Sequence, residues 1–122
     1  MQQAKTEIQQ LVERYIQIWN EPDYARRRAS IAKLWTEDGV QFTPQHEYRG
    51  YEGLEKRVES AHEEFVKQGG FVFRLSGEYE AHHGAVKLAW EMVPASGGKV
   101  AASGIVFLLL SDDGRARLDY HF

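Results

Sequence analysis

Cysteine is absent from this 122-residue chain. Its absence excludes disulfides, thiolate metal sites and thiol nucleophiles, and it suits a reducing compartment. No long apolar run is present either. The most apolar stretch, Val100 to Leu110, falls well short of the ~20 residues that a membrane-spanning helix needs. The opening residues Met1 to Glu7 lack the basic-then-apolar order of a leader. A cytoplasmic protein with no membrane partner is therefore expected. Positive charge is not in excess: the formal net charge is −3, so no global field recommends nucleic acid. There is no glycine-rich phosphate loop, dinucleotide fingerprint or HExxH pair. Ser103 precedes Gly104 but lacks the strand–turn–helix setting of a nucleophile elbow. His82 and His83 are adjacent and would point to opposite faces of a strand, which makes a poor chelate. No metal and no cofactor are expected.

What is present suits one globular domain spanning 1–122. The chain is 43% apolar and 27% charged, ordinary values for a protein that buries a core without covalent staples. Thr6 and Gln9 have the spacing of a capping box. After them Ile8, Leu11, Val12, Tyr15, Ile18 and Trp19 recur at helical spacing and form one apolar stripe. Pro22 stops that helix. Asp23 caps a second one through Leu34 and Trp35, which Asp38-Gly39 ends. Val40 to Phe42 reads as a short strand, Thr43-Pro44 as a turn, and about Glu52 to Lys67 as a third helix with Leu54, Val58, Ala61 and Phe65 on one face. The period then changes. Phe71 to Tyr79, Ala85 to Pro94, Lys99 to Leu110 and Arg115 to Phe122 read as four strands with hairpin breaks between them.

Three N-terminal helices followed by a meander predict an α+β fold, with the helices covering one face of a curved antiparallel or mixed sheet. Val86, Leu88, Trp90 and Met92 alternate with more polar residues and mark an inner face. The 100–110 strand is apolar on both faces, which predicts a second buried contact. A pocket on one side and a dimer partner on the other would supply it, and a simple two-layer core would do so equally well.

A resemblance enters on these residues: Tyr15…Trp19-Asn20-Glu21-Pro22-Asp23, Leu34-Trp35-Thr36-Glu37-Asp38-Gly39, Arg49-Gly50-Tyr51-Glu52-Gly53, His82-His83-Gly84…Trp90-Glu91-Met92-Val93-Pro94 and Asp112-Asp113-Gly114-Arg115. Their order and spacing resemble the SnoaL-like branch of the nuclear-transport-factor-2-like superfamily, whose cone-shaped sheet wraps around a pocket. The resemblance implies a homodimer and a small apolar or amphipathic ligand. It also includes the ketosteroid isomerases, and the alignment with them places Tyr15 at the oxyanion tyrosine, Thr43 at the base and Val106 at the protonated acid. A threonine hydroxyl does not abstract a proton near neutrality and valine donates nothing, so that isomerase mechanism does not carry over.

Asp119 and His121 lie two apart on the last strand and share a face. A two-residue Asp113-Gly114 turn would pair 106 with 121 and 108 with 119, turning both groups into the pocket. A three-residue loop would put Leu118 and Tyr120 there instead. The family alignment favours the first register. Tyr15, Asp119 and His121 are therefore the candidate catalytic residues, with Tyr15 donating a hydrogen bond and the Asp–His pair moving protons. Trp19, Trp35, Phe42, Thr43, His46, Phe65, Phe73, Trp90, Val106 and Leu108 are the expected pocket lining. His62 reads as structural, and Arg26-Arg27-Arg28 as a solvated helix face. The functional expectation is a small-molecule-binding domain, with acid–base turnover of isomerase, cyclase, hydrolase or dehydratase type on an apolar oxygenated substrate. A non-catalytic binder and a dimeric interaction module are the alternatives.

Overall fold

The computed structural model describes residues 6–122; the leader reading and the start of the 1–122 domain fall on 1–5, outside the described residues. Helix α1 spans Glu7–Asn20, and the Thr6 side chain caps it by accepting from the Gln9 N–H. It buries Leu11, Val12, Tyr15, Ile18 and Trp19. Each such side chain contributes about 1.5–3 kcal/mol by leaving water, so the stripe rather than intrinsic propensity holds this helix in place. Asp23 caps α2 (Tyr24–Leu34) by accepting from the Arg26 N–H. One member of the basic run turns inward. Arg27 is buried and donates from Nη1 to the Glu21 carbonyl at 3.0 Å, so it is not part of a solvated face.

The second helix ends before Trp35, and Asp38-Gly39 does not terminate it. Trp35–Phe42 forms one strand, β1, with an irregularity between Trp35 and Val40. Trp35 pairs with Ala116 and its ring is wholly buried, so pairing and burial override the helical reading. A Cβ at Gly39 would sit 3.0 Å from the Thr36 carbonyl oxygen, which explains a glycine inside the irregular stretch. The segment read as a turn before the third helix contains strand β2, Glu47–Arg49, antiparallel to β1. Helix α3 covers Gly50–Ala61 and continues as a π-helical segment over His62–Gln68.

Five strands follow. Strands β3 (Phe71–Leu75) and β4 (Glu80–His82) divide the expected 71–79 strand and its loop between them, and both pair with β5 (Ala85–Pro94). Strands β6 (Ala102–Leu110) and β7 (Ala116–His121) complete the sheet. Its order is β2-β1-β7-β6-β5-β3, with β1 parallel to β7 and the other pairs antiparallel. The fold is α+β: a curved mixed sheet with the helices on one face. Among the described residues no helix is long and apolar enough to cross a membrane.

The β6–β7 connection decides which side chains enter the interior. Ser111 N–H donates to the Arg115 carbonyl, which closes a loop of three residues, Asp112 to Gly114. Taken alone, that loop would send Leu118 and Tyr120 inward. A bulge at the Leu109/Leu110 step restores the register, because Leu110 pairs with Ala116 and Leu109 with Leu118. Arg117 is thus the extra residue, Val106 faces His121, and Leu108 faces Asp119.

The inner face of β6 delivers Val106 and Leu108 to the core. On its other face Phe107 and Leu109 are half-buried and Ile105 is exposed. Phe42 stacks on Tyr120 across the same outer face, with ring centroids 4.9 Å apart.

Candidate functional site

Strand alternation sends Asp119 and His121 to the concave side, and parallel pairing sets Gln41 of β1 directly beside Asp119. Tyr15 comes down from α1 onto all three. Its hydroxyl lies 2.6 Å from His121 Nε2 and 3.0 and 3.2 Å from Asp119 Oδ2 and Oδ1. Asp119 also accepts from Trp35 Nε1 at 3.2 Å and from Gln41 Nε2 at 3.0 Å. The carboxyl is fully buried, and His121 Nε2 stands 3.4 Å from its Oδ1. Gln41 reaches further, since its Oε1 accepts from Arg57 Nε at 3.0 Å. The result is one polar chain through an aromatic interior: His121, Tyr15, Asp119, Gln41, Arg57.

Burial dominates the electrostatics. It pushes the Asp119 carboxyl up to about 7, against the opposing pull of hydrogen bonds from Gln41, Tyr15 and Trp35. It holds His121 down at about 4, with the positive charge of Arg57 acting in the same direction. Burial, then the nearby Asp119, raises the Tyr15 phenol well above its ordinary value. The ordinary order is inverted, so the carboxyl holds a proton more tightly than the imidazole does.

A cavity of about 80 Å³ adjoins this chain, lined by Tyr15, Ile16, Trp19, Arg57, Ala61, Phe65, Phe73, Trp90 and His121. Two features shape its walls. The Asn20 side chain clasps the Phe73 backbone, donating to its carbonyl at 2.7 Å and accepting from its N–H at 2.8 Å. Trp90 lies against Gly104, where a Cβ would meet its indole ring at 2.7–2.9 Å. The large ring fits there because its cross-strand partner on β6 has no side chain.

Tyr15, Asp119 and His121 thus come together, and Trp19, Phe65, Phe73 and Trp90 line the cavity. The other expected lining residues lie elsewhere. Trp35, Val106 and Leu108 have almost no exposed surface and belong to the core cluster rather than to the cavity lining; Trp35 still serves the site by donating to Asp119. Phe42 faces outward, because Gln41 occupies the inward position of β1. Thr43 and His46 belong to the β1–β2 turn, where the Thr43 hydroxyl accepts from the His46 N–H at 3.1 Å. Neither Thr43 nor Val106 supplies a titrating group to the cavity. His62 is buried in the helical layer, and its Nε2 has no partner among the described residues.

Arg57 and Gln41 are the site residues that sequence reasoning missed. Both left a signal. Arg57 follows Leu54 by three and precedes Ala61 by four, so it lies within the apolar stripe of α3. Gln41 is the inward residue between two outward apolar ones on β1.

Solved structures share this architecture. A candidate isomerase of the SnoaL-like family from Agrobacterium tumefaciens str. C58 is 25% identical, covers 97% of both chains and superposes with a TM-score of 0.84. A nuclear-transport-factor-2-like protein of Cytophaga hutchinsonii ATCC 33406 is 16% identical over 100% of this chain and 93% of its own, with a TM-score of 0.68. A candidate polyketide cyclase of Sinorhizobium meliloti, 10% identical over 97% and 100% of the two chains, gives the same TM-score of 0.68. Among curated proteins none matches the sequence. The SnoaL-like domain model matches residues 12–118, which takes in α1 from Val12 onward, the sheet as far as Leu118 in β7 and every wall of the cavity except His121. The chain belongs to the SnoaL-like domain family.

Proposed function

We propose that this protein is a cofactor-independent acid–base enzyme that removes and returns a proton on a compact carbonyl compound held in the cavity. The observation that carries this reading is the Tyr15 hydroxyl bridging His121 Nε2 and the buried Asp119 carboxyl. His121 lines the cavity, and its Nδ1 has no protein hydrogen-bond partner among the described residues. Nδ1 is thus the nitrogen left for a ligand.

The chemistry follows from the hydrogen-bond directions. With Asp119 ionised, Tyr15 donates to it, Nε2–H donates to the Tyr15 oxygen, and the Nδ1 lone pair is open. Nδ1 takes a proton from the carbon beside the substrate carbonyl; the C–H electron pair moves onto the carbonyl oxygen as an enolate. The imidazole then passes its Nε2 proton to Tyr15, and Tyr15 passes its own to Asp119. Both ring states that face the substrate are neutral, in keeping with a buried site. The inverted proton affinities of Asp119 and His121 drive the transfer toward the carboxyl. Reversal of the relay returns the proton to the enolate, at the original carbon or, for a conjugated one, at the far end. The geometry suits an isomerase.

The test is solvent deuterium wash-in. Small β-oxo esters and enones, together with oxo and unsaturated carboxylates of the same size, are incubated with the protein in D₂O and followed by proton NMR. Catalysed exchange that is lost in His121→Gln and reduced at least a hundredfold in Tyr15→Phe supports the reading. Binding without exchange overturns it in favour of a ligand-binding role.

A homodimer joined through the outer face of the sheet belongs to the same proposal. It is supported by exposed Ile105 and Phe122 beside half-buried Phe107, Leu109 and Tyr120.

A further inference from the structure

Arg57 is the one group of the polar chain whose hydrogen-bonding capacity is largely unused. It is half-buried and lines the cavity. Only its Nε is engaged, by Gln41 Oε1. Among the described residues neither terminal nitrogen has a hydrogen-bond partner, and no carboxylate forms an ion pair with it. The guanidinium is not free to swing away. Its carbon lies 5.7 Å from the Trp19 ring centroid and 5.2 Å from that of Tyr48, so it is held between two aromatic faces with Nε tied to β1. A cation fixed in this way, with both terminal nitrogens unclaimed by protein groups, presents a preorganised donor fork to an anion in the cavity. Asp119, which Arg57 reaches only through Gln41, already accepts from Tyr15, Trp35 and Gln41.

We propose that the cavity takes a small carboxylate, gripped by the terminal nitrogens of Arg57, with its apolar body against Phe65, Phe73 and Trp90. This deepens the acid–base reading and rests on it for the step that follows binding. A planar carboxylate matches the guanidinium fork. A phosphate dianion would call for further cationic or backbone donors, and the lining contains no second cation and no lysine. The substrate is therefore an oxo or unsaturated carboxylic acid rather than a neutral carbonyl compound. Pairing also primes the base. The Arg57 charge helps hold His121 down; a bound carboxylate cancels that charge and makes the imidazole a better proton acceptor. The enzyme becomes basic only when loaded.

Titration calorimetry and histidine NMR test this with benzoate and crotonate as probes, benzamide and crotonamide as their neutral counterparts, and inorganic phosphate as a second anion. The carboxylates should bind at least tenfold more tightly than the amides and than phosphate. Arg57→Met should weaken carboxylate binding at least tenfold, and Arg57→Lys, which keeps the charge without the fork, by at least threefold. Benzoate should raise the His121 titration midpoint in the wild type and leave it unmoved in Arg57→Met. If the amides or phosphate bind as well as benzoate, or if Arg57→Met binds benzoate unchanged, the proposal is overturned. Should Arg57→Met not fold, Arg57→Lys decides by the same criterion. The two readings fail separately. Carboxylate binding through Arg57 without deuterium exchange sinks the acid–base reading alone, whereas exchange confined to neutral carbonyl compounds sinks this one alone.

Discussion

Tyr15 Oη lies 2.6 Å from His121 Nε2, and the same oxygen reaches Asp119, across 106 and 104 residues of sequence respectively. The hydroxyl couples two groups whose proton affinities burial has moved in opposite directions. A pH prediction follows from the signs. Between about pH 4 and 6.5 the folded Asp119 keeps a proton that the unfolded carboxyl has released, so this group makes stability fall as pH rises. Over the same window the folded His121 is neutral while the unfolded imidazole is protonated, so that group makes stability rise. In the wild type the two slopes oppose each other. Asp119→Asn should unmask a rise in stability with pH and His121→Gln a fall, each by up to about 1.4 kcal/mol per pH unit relative to wild type. Urea unfolding at pH 4.5, 5.5 and 6.5 measures both slopes. Parallel slopes in the two variants would refute the inverted order.

Tyr15→Phe removes the bridge and keeps the ring. Asp119 then retains only Trp35 and Gln41 as donors, and Nε2 loses its partner. The unfolding free energy should fall by about 1–3 kcal/mol, the cost of leaving buried polar atoms short of a partner. Equilibrium urea denaturation at pH 7 reads this directly. A variant as stable as wild type would mean that the hydroxyl is not shared as described.

The outer face of β6 predicts assembly. Ile105 is 42% exposed in the single chain, beside half-buried Phe107 and Leu109. Ile105→Asp should dissociate the expected homodimer, weakening it at least tenfold while leaving the monomer folded. Light scattering coupled to size exclusion, run over a concentration series, decides. A wild-type chain that elutes as a monomer at all concentrations would end the dimer reading.

The sequence made some of this legible and hid the rest for physical reasons. Period-3.6 stripes located α1 and α3 because their burial pattern is one-sided. The end of α2 was misplaced because Trp35 and Thr36 serve as well at a helix terminus as in a strand, and only pairing with β7 decides between them. The inward register of Asp119 and His121 was expected from a two-residue turn, yet it arises from a three-residue loop corrected by a bulge at Arg117. A bulge has no reliable local signature. Arg57 was passed over because a lone arginine on a helix is usually solvated. Its role depends on Gln41, Trp19 and Tyr48, which come from other elements.

The wall formed by Trp90 gives the last prediction. Gly104 stands opposite Trp90 across β5 and β6, and a Cβ there would meet the indole ring at 2.7–2.9 Å. The contact is to side-chain atoms of a large ring that also packs edge-on against Phe73, with centroids 5.6 Å apart, so the ring has little freedom to retreat except into the cavity. Gly104→Ala should therefore cost about 1–3 kcal/mol through overpacking. The displaced ring should occupy ligand space as well. Benzoate affinity should drop together with stability, whereas Ile105→Asp, on the other face of the same strand, should leave ligand affinity unchanged. Thermal unfolding, tryptophan fluorescence and calorimetry on the two variants compare these effects. A Gly104→Ala protein that binds benzoate like the wild type would show that Trp90 is not a wall of the binding cavity.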